Sequence, residues 1–152
     1  IIDGLIAASP EDPFLYDLKG DLLVDAGRTQ DAVAPYEKAL SILPWAALIQ
    51  FNLARLQLEN AQDAPQIREA RRNLNEALRY EPEMASGWRL LATAEGRLSN
   101  NGGAALALAE EALLRGKKKS ALTHAQQALE RLAEGSPGWF RAQDIESSAG
   151  KE

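Results

Sequence analysis

At 152 residues the chain is long enough for one compact domain or a short array of repeats, and 45% hydrophobic with 26% charged residues is ordinary for a soluble protein. The lack of cysteine excludes disulfides and thiol chemistry without fixing the redox compartment. A net charge of −5 argues against a nucleic-acid binder, which would present a basic face.

No apolar run approaches the roughly 20 residues of a membrane span, and no signal peptide is visible. Abundant Ala, Leu, Glu and Arg with few β-branched residues favour helix over strand. The chain opens Ile1-Ile2-Asp3-Gly4, which reads as the middle of a helix and so as a fragment of a longer protein. Ile2, Leu5 and Ile6 give that helix an apolar face ending at Ser9-Pro10. From Pro13 to Pro44 the pattern predicts two amphipathic helices. Tyr16, Leu22 and Leu23 fall at helical spacings in the first, and Ala32, Tyr36, Ala39 and Leu40 in the second. Gly20 and Ala32 are small enough to let two helix backbones approach. Gly27 is placed to stop the first helix in the left-handed cap conformation. Thr29, with Gln30 and Asp31, is predicted to start the second. Pro44 closes the unit, because the residue before a proline is pushed out of the helical region.

That order of residues resembles the tetratricopeptide repeat (TPR), a helix–turn–helix unit of about 34 residues. The matching positions are Tyr16, Gly20, Gly27, Ala32, Tyr36, Ala39 and Pro44. Lys19 stands where the family usually has leucine, and Leu18 is expected to take over that packing. Pro10 precedes Pro44 by 34 residues, so residues 1–10 read as the end of a truncated repeat. Pro82 follows Pro44 by 38 residues, which places a short insertion in the second unit, in the stretch from Asn60 to Pro65. In the third, Trp88, Leu91 and Ala92 take the aromatic, leucine and small positions. Asn100, Asn101, Gly102 and Gly103 are predicted to stop a helix ahead of another from about Ala104 to Leu114. A further helix is predicted from about Ser120 to Leu132. The resemblance implies an all-α, right-handed TPR-type solenoid of three to four helix pairs in a single domain over 1–146. Its parts are the truncated repeat over 1–10, repeats at 13–44, 45–82 and 84–115, and a degenerate repeat with a short capping helix over 116–146. Residues 147–152 are expected to be a disordered tail.

Chemistry-bearing patterns are absent. His124 is the single histidine, so no histidine pair for zinc exists, and there is no glycine-rich phosphate loop or Gly-x-Ser-x-Gly elbow. The fragment is therefore expected to be no enzyme and to hold no cofactor or metal. The basic run from Arg115 to Lys119 is read as the end of a helix, where the dipole favours cations. Trp45 and Trp139 are expected to be exposed, and so to keep an oligomerisation surface open as a reading.

By the register of the repeat, the first helix of each unit lines the concave face of the solenoid. Asp17, Asp21 and Asp25 share one face of one helix. Phe51 and Arg55, then Arg89, Thr93 and Arg97, are expected to project the same way. The face would be acidic near the N-terminal end and basic further along, suited to a protein segment of complementary charge order. The alternative is that the three aspartates pair with nearby arginines or face water. TPR domains that clamp acidic chaperone tails use a lysine and an asparagine where this chain has Asp17 and Asp21, so that subclass does not fit.

The run from Gly87 to Gly116, with the Ala121–Leu132 and Ser136–Ile145 stretches, is similar to the C-terminal TPR region of BepA-like bacterial zinc metalloproteases. The likeness spans roughly residues 1–145. It implies a periplasmic protein in outer-membrane protein assembly and quality control, whose TPR part binds protein segments, the assembly machinery or an N-terminal metallopeptidase domain of the same chain. None of that peptidase's zinc ligands lies in this sequence. The competing reading is a stand-alone, cytoplasmic TPR scaffold or adaptor.

Overall fold

The computed structural model describes residues 1–151, which are all-α. Among the described residues the helices are α1 (Ile2–Ala8), α2 (Pro13–Asp25), α3 (Val33–Ile42), α4 (Ala47–Asn60), α5 (Ala64–Tyr80), α6 (Ala85–Arg97), α7 (Asn101–Leu114), α8 (Lys118–Arg131) and α9 (Pro137–Ala149). They fall into two compact units, one over Ile1–Tyr80 and one from Glu81 onward.

In the first unit, α2 packs on α3, α3 on α4 and α4 on α5. The core at the first two of these contacts is Ala32, Tyr36, Ala39, Ile49, Leu53 and Leu56. Gly20 makes the α2–α3 approach possible, since a Cβ there would lie 2.5 Å from the Tyr36 ring. Gly27, at φ 73°, ends α2, and the Arg28 amide turns back to the Leu23 carbonyl at 2.8 Å. α3 begins at Val33 rather than Thr29. Pro35 explains the delay, because it has no N–H to give to the Asp31 carbonyl, so regular helical bonding cannot start earlier. Asp63 caps α5 by accepting from the Gln66 amide at 3.0 Å, and the Gln66 side chain accepts from the Gln62 amide at 2.6 Å. The inserted stretch is thus ordered by a pair of capping bonds resembling a capping box, with Gln66 reaching one residue ahead of the cap.

In the second unit, α6 packs on α7, α7 on α8, and α9 on both α7 and α8. Its most buried contacts are alanines, with Ala109, Ala112, Ala121 and Ala125 around Ile145 and Ala105, Ala128 and Ala142 beside them, and Leu106, Leu113, Leu122, Leu129 and Leu132 pack against these from partly buried positions. The Asn-Gly run does not stop α6. Ser99 takes the left-handed turn (φ 60°), and α7 begins at Asn101. Asn100 is needed as its cap, accepting from the Gly103 amide at 3.1 Å and donating to Glu95 at 2.9 Å. The two glycines are small for packing reasons: a Cβ at Gly102 would sit 2.9 Å from Leu132, and one at Gly103 would meet the Asn100 side chain.

One bond marks the register of three repeats. The Tyr16 hydroxyl donates to the Pro10 carbonyl at 2.9 Å, the Gln50 amide to Pro44 at 2.8 Å, and the Trp88 indole N–H to Pro82 at 2.8 Å. Three different side chains, each six residues after its proline, tie the start of a helix to the turn before it.

Other expectations need correction. Leu18 does not replace leucine at Lys19, because it is exposed; Lys19 instead reaches Asp3 of α1 at 2.7 Å. Lys117 is the N-cap of α8 and Lys118 and Lys119 its first residues, where the helix dipole opposes cations, and only Arg115 caps α7. The final helix is no short cap. It has 13 residues and runs to Ala149, whose side chain is buried, so 147–149 are helix rather than tail; the expected tail's last residue, 152, lies outside the described residues. Trp45 is exposed as expected, but Trp139 is half-buried and meets Phe140 edge-on at 5.3 Å, leaving Phe140 as the exposed ring.

Candidate functional site

α2 is fixed from both sides. Asp12 caps it, accepting from the Phe14 amide at 3.0 Å, and Pro13 supplies the preset φ of its first turn. With Gly20 against Tyr36, the i, i+4, i+8 spacing carries Asp17, Asp21 and Asp25 along one side of the helix. The three do not behave alike. Asp21 accepts a 2.6 Å hydrogen bond from the Tyr36 hydroxyl. Asp17 is half-buried, and its Oδ1 is enclosed with no hydrogen-bond partner. Burial first, and the Asp21 charge second, push the Asp17 carboxyl above its ordinary value. Asp25 is exposed in the last turn.

The Tyr36 hydroxyl is the centre of this cluster. Burial and the hydrogen bond to Asp21 raise its pKa well above the usual phenol range, with Asp17 adding to the rise and the Arg55 charge opposing it. Asp17 and Asp21 of α2 and Arg55 of α4 thus all act on the Tyr36 hydroxyl. Sequence reasoning assigned Tyr36 only to the core. The signal that could have found its second role is a tyrosine, rather than phenylalanine, at a position that must be buried, since its hydroxyl then needs a partner.

The remaining site residues meet partners on their own or the next helix. Arg55 lies 3.5 Å from Glu59 one turn on, and Phe51 is half-buried on the same helix. In the second unit, Arg89 lies 3.6 Å from Glu111 of α7, which also accepts from Arg115 at 2.9 Å. The Thr93 hydroxyl donates back to the Arg89 carbonyl at 3.3 Å, and Arg97 is exposed in the last turn of α6. Arg55 and Arg89 thus each have a carboxylate alongside, which reduces the basic character expected of them. Asp17 has no such cation at hydrogen-bond distance. Deeper in this unit, buried Glu110 is held by the Arg141 guanidinium through both oxygens, the longer contact being 2.9 Å. His124 faces Gln127 at 3.3 Å. Among the described residues no group of three or more His, Asp or Glu side chains is arranged to hold a metal ion.

No protein-family model matches the chain, and no curated protein matches it. Solved structures do resemble it in fold. MamA aligns over 98% of this chain and 81% of its own at 13% identity, with a TM-score of 0.70. YrrB, described as a TPR protein with an unusual peptide-binding site, aligns over 99% of this chain and 84% of its own at 18% identity and a TM-score of 0.59. A thermophilic TPR protein of Thermus thermophilus, TTC0263, aligns over 95% and 86% at 17% identity and 0.55. The fold is that of a TPR domain.

Proposed function

We propose that the chain is a non-catalytic protein-binding domain that takes protein segments against the first helices of its hairpins, α2 and α4 in one unit and α6 in the other. The observation that carries this reading is the Asp17–Asp21 pair. Two carboxylates one helical turn apart repel each other, and one of them holds an enclosed oxygen without a donor. The repulsion between the two carboxylates is relieved when a partner brings a cation beside the exposed Asp21 and Asp25. Comparable folds support the reading by analogy, YrrB being described by its peptide-binding site.

The narrower form of the proposal is the C-terminal TPR part of a periplasmic zinc metalloprotease acting on outer-membrane protein assembly. It is supported by the sequence resemblance over roughly residues 1–145. Its partners would be an N-terminal metallopeptidase domain of the same chain and the assembly machinery. The other form is a stand-alone cytoplasmic adaptor.

Photo-reactive residues placed at Asp25, Arg55, Arg89 and Arg97 in the native cell test both levels. Protein adducts from these positions are the expected result. Adducts with outer-membrane assembly proteins select the protease-linked form, and adducts with cytosolic proteins select the adaptor. Silence at all four, with adducts only from exposed positions on α3 and α5 such as Glu37 and Arg72, overturns the reading.

A further inference from the structure

The insertion in the second repeat borders a cleft of about 410 Å³ in unit 1, at the turns that join α2 to α3 and α4 to α5. Three pairs of residues at i, i+3 spacing converge on it. Gln30 and Val33 come from the turn before α3 and its first residue, Gln57 and Asn60 from the end of α4, and Gln66 and Glu69 from the first turns of α5. Gln62, within the insertion, completes the rim. Amides dominate this lining, and Val33 is its one apolar side chain. Their hydrogen-bonding capacity is only partly used. Asn73 donates to the Gln57 oxygen at 2.8 Å, which leaves the Gln57 N–H groups as donors. The Gln66 oxygen accepts from the Gln62 backbone amide at 2.6 Å, so its N–H groups are left as well. Gln62 spends an N–H on the Asn60 carbonyl at 3.3 Å and keeps its oxygen as an acceptor. Among the described residues the side-chain amides of Gln30 and Asn60 meet no partner, so each offers both donor and acceptor.

We propose that this cleft binds the main chain of an extended, uncharged protein segment, whose peptide N–H and C=O groups pair with the amides of Gln30, Gln57, Asn60 and Gln66. The inference rests on the protein-binding reading above and adds to it a second contact, at the turns rather than on the first helices. A side-chain amide carries the same donor and acceptor as a peptide unit and so complements one directly. Spacing agrees. Gln57 and Asn60, three residues apart on α4, stand about 5–6 Å apart, and two residues of extended chain, after which the same edge repeats, advance about 6.6 Å. A helical partner does not fit, because its main-chain groups are spent on one another. Other ligands fit less well. Glu69 is the only acidic or basic residue of the lining, so phosphates, nucleic acid and acidic segments would meet an acid and no cation. A small molecule would find one apolar side chain, where such sites are mostly apolar. Because the contacts are to the main chain, the segment's own side chains matter little while they are neutral.

The test uses the whole chain, isotope-labelled so that each Gln and Asn side-chain amide gives its own NMR signal. The probe is a short peptide of alternating Ser and Val with both ends blocked, added to millimolar concentration. A second probe has ester links in place of its amides, which removes the N–H donors and keeps the carbonyls. A third has Glu in place of Ser, and the fourth is cellotriose, a neutral oligosaccharide. The neutral peptide is expected to shift the side-chain signals of Gln30, Gln57, Asn60 and Gln66, and to leave those of Gln126 and Gln143 in unit 2 unmoved. The ester version is expected to bind at least about tenfold more weakly, and the Glu version more weakly through repulsion by Glu69. The double variant Gln30→Ala/Asn60→Ala is expected to weaken the neutral peptide by at least about tenfold with the thermal midpoint unchanged, since neither side chain has a partner within the fold. No shift at the four signals, equal binding of the ester or Glu version, or an unaffected double variant overturns the inference. So do signals moved by cellotriose and not by the peptide, which would make the cleft a carbohydrate site. A silent peptide alongside protein adducts from Arg55 or Arg89 strikes this second contact alone, whereas silence at the crosslinking positions as well removes the wider reading.

Discussion

Unit 1 seats Tyr36, Leu56 and Leu74 with no exposed surface, whereas in unit 2 the contacts between helices are held by Ala109, Ala121, Ala125, Ala128 and Ala142 around Ile145. Both are helix hairpins, yet their vulnerabilities are opposite. A core of large side chains loses most when one is cut short, because the space does not collapse fully. Where two helices meet through alanine there is little to cut and no room to grow. Polar groups divide in the same way. The buried carboxylate of unit 2, Glu110, is clasped by Arg141, while the half-buried Asp17 of unit 1 has an oxygen left without a donor. Exposed apolar side chains gather in unit 1, at Phe14, Leu18, Leu22, Trp45 and Leu48. Among the described residues, the enclosed side-chain oxygens without a partner, on Asp17 and Gln50, both lie in unit 1.

The largest expected effects come from reversing the two cores. Leu56→Ala is expected to destabilise by about 3 kcal/mol, since Leu56 has no exposed surface. Ala125→Leu should cost about 2 kcal/mol or more by overpacking, but Ala125→Gly only about 1, the loss in helix propensity. Denaturant unfolding of each variant checks this. If Ala125→Leu is tolerated as well as a surface change, the alanine interface is not close-packed and the contrast fails.

An intermediate effect is expected at the clasped carboxylate. Arg141→Ala leaves Glu110 buried without its partner, and because the Arg141 side chain is 48% exposed the cost is set at about 2 kcal/mol rather than the larger value of a fully buried pair. Adding Glu110→Gln to that variant should recover part of the loss, which thermal unfolding of the single and double variants would reveal. No recovery would mean that Arg141 acts through packing of its stem rather than its charge.

Much of this fold is legible in the sequence, for reasons that are local. The Gly20, Ala32, Tyr36, Ala39 order encodes one packed hairpin, and the prolines at 10, 44 and 82 encode its repetition. What the sequence hides is what depends on three-dimensional neighbours. Gly102 and Gly103 look like a helix stop because glycine is read first as conformational freedom; they are interior because Leu132 and the Asn100 side chain leave no room for a Cβ. The lysines at 117–119 look like a C-terminal cluster because α8 starts earlier than its apolar periodicity announces. Of the candidate site, the common face of Asp17, Asp21 and Asp25 follows from spacing alone. That Tyr36 holds Asp21 and leaves Asp17 unserved does not, since it depends on how deeply a ring from α3 enters α2.

The smallest effect is also the most direct test of the central claim, that Asp17 is a carboxylate kept for a partner at the expense of the free fold. Its folded pKa is raised from 3.8, so the ionised form burdens the fold above that raised value, and the burden disappears as pH falls through it toward 3.8. Unfolding free energies of the wild-type chain and Asp17→Asn, measured from neutral pH downward, decide the matter. The account predicts that the variant is more stable at neutral pH by about 1 kcal/mol, the half-buried charge and its repulsion with Asp21 having been removed, and that the gap narrows steadily as pH approaches 3.8. A variant less stable than wild type at neutral pH would show that Asp17 is already satisfied within the fold, and would contradict the account.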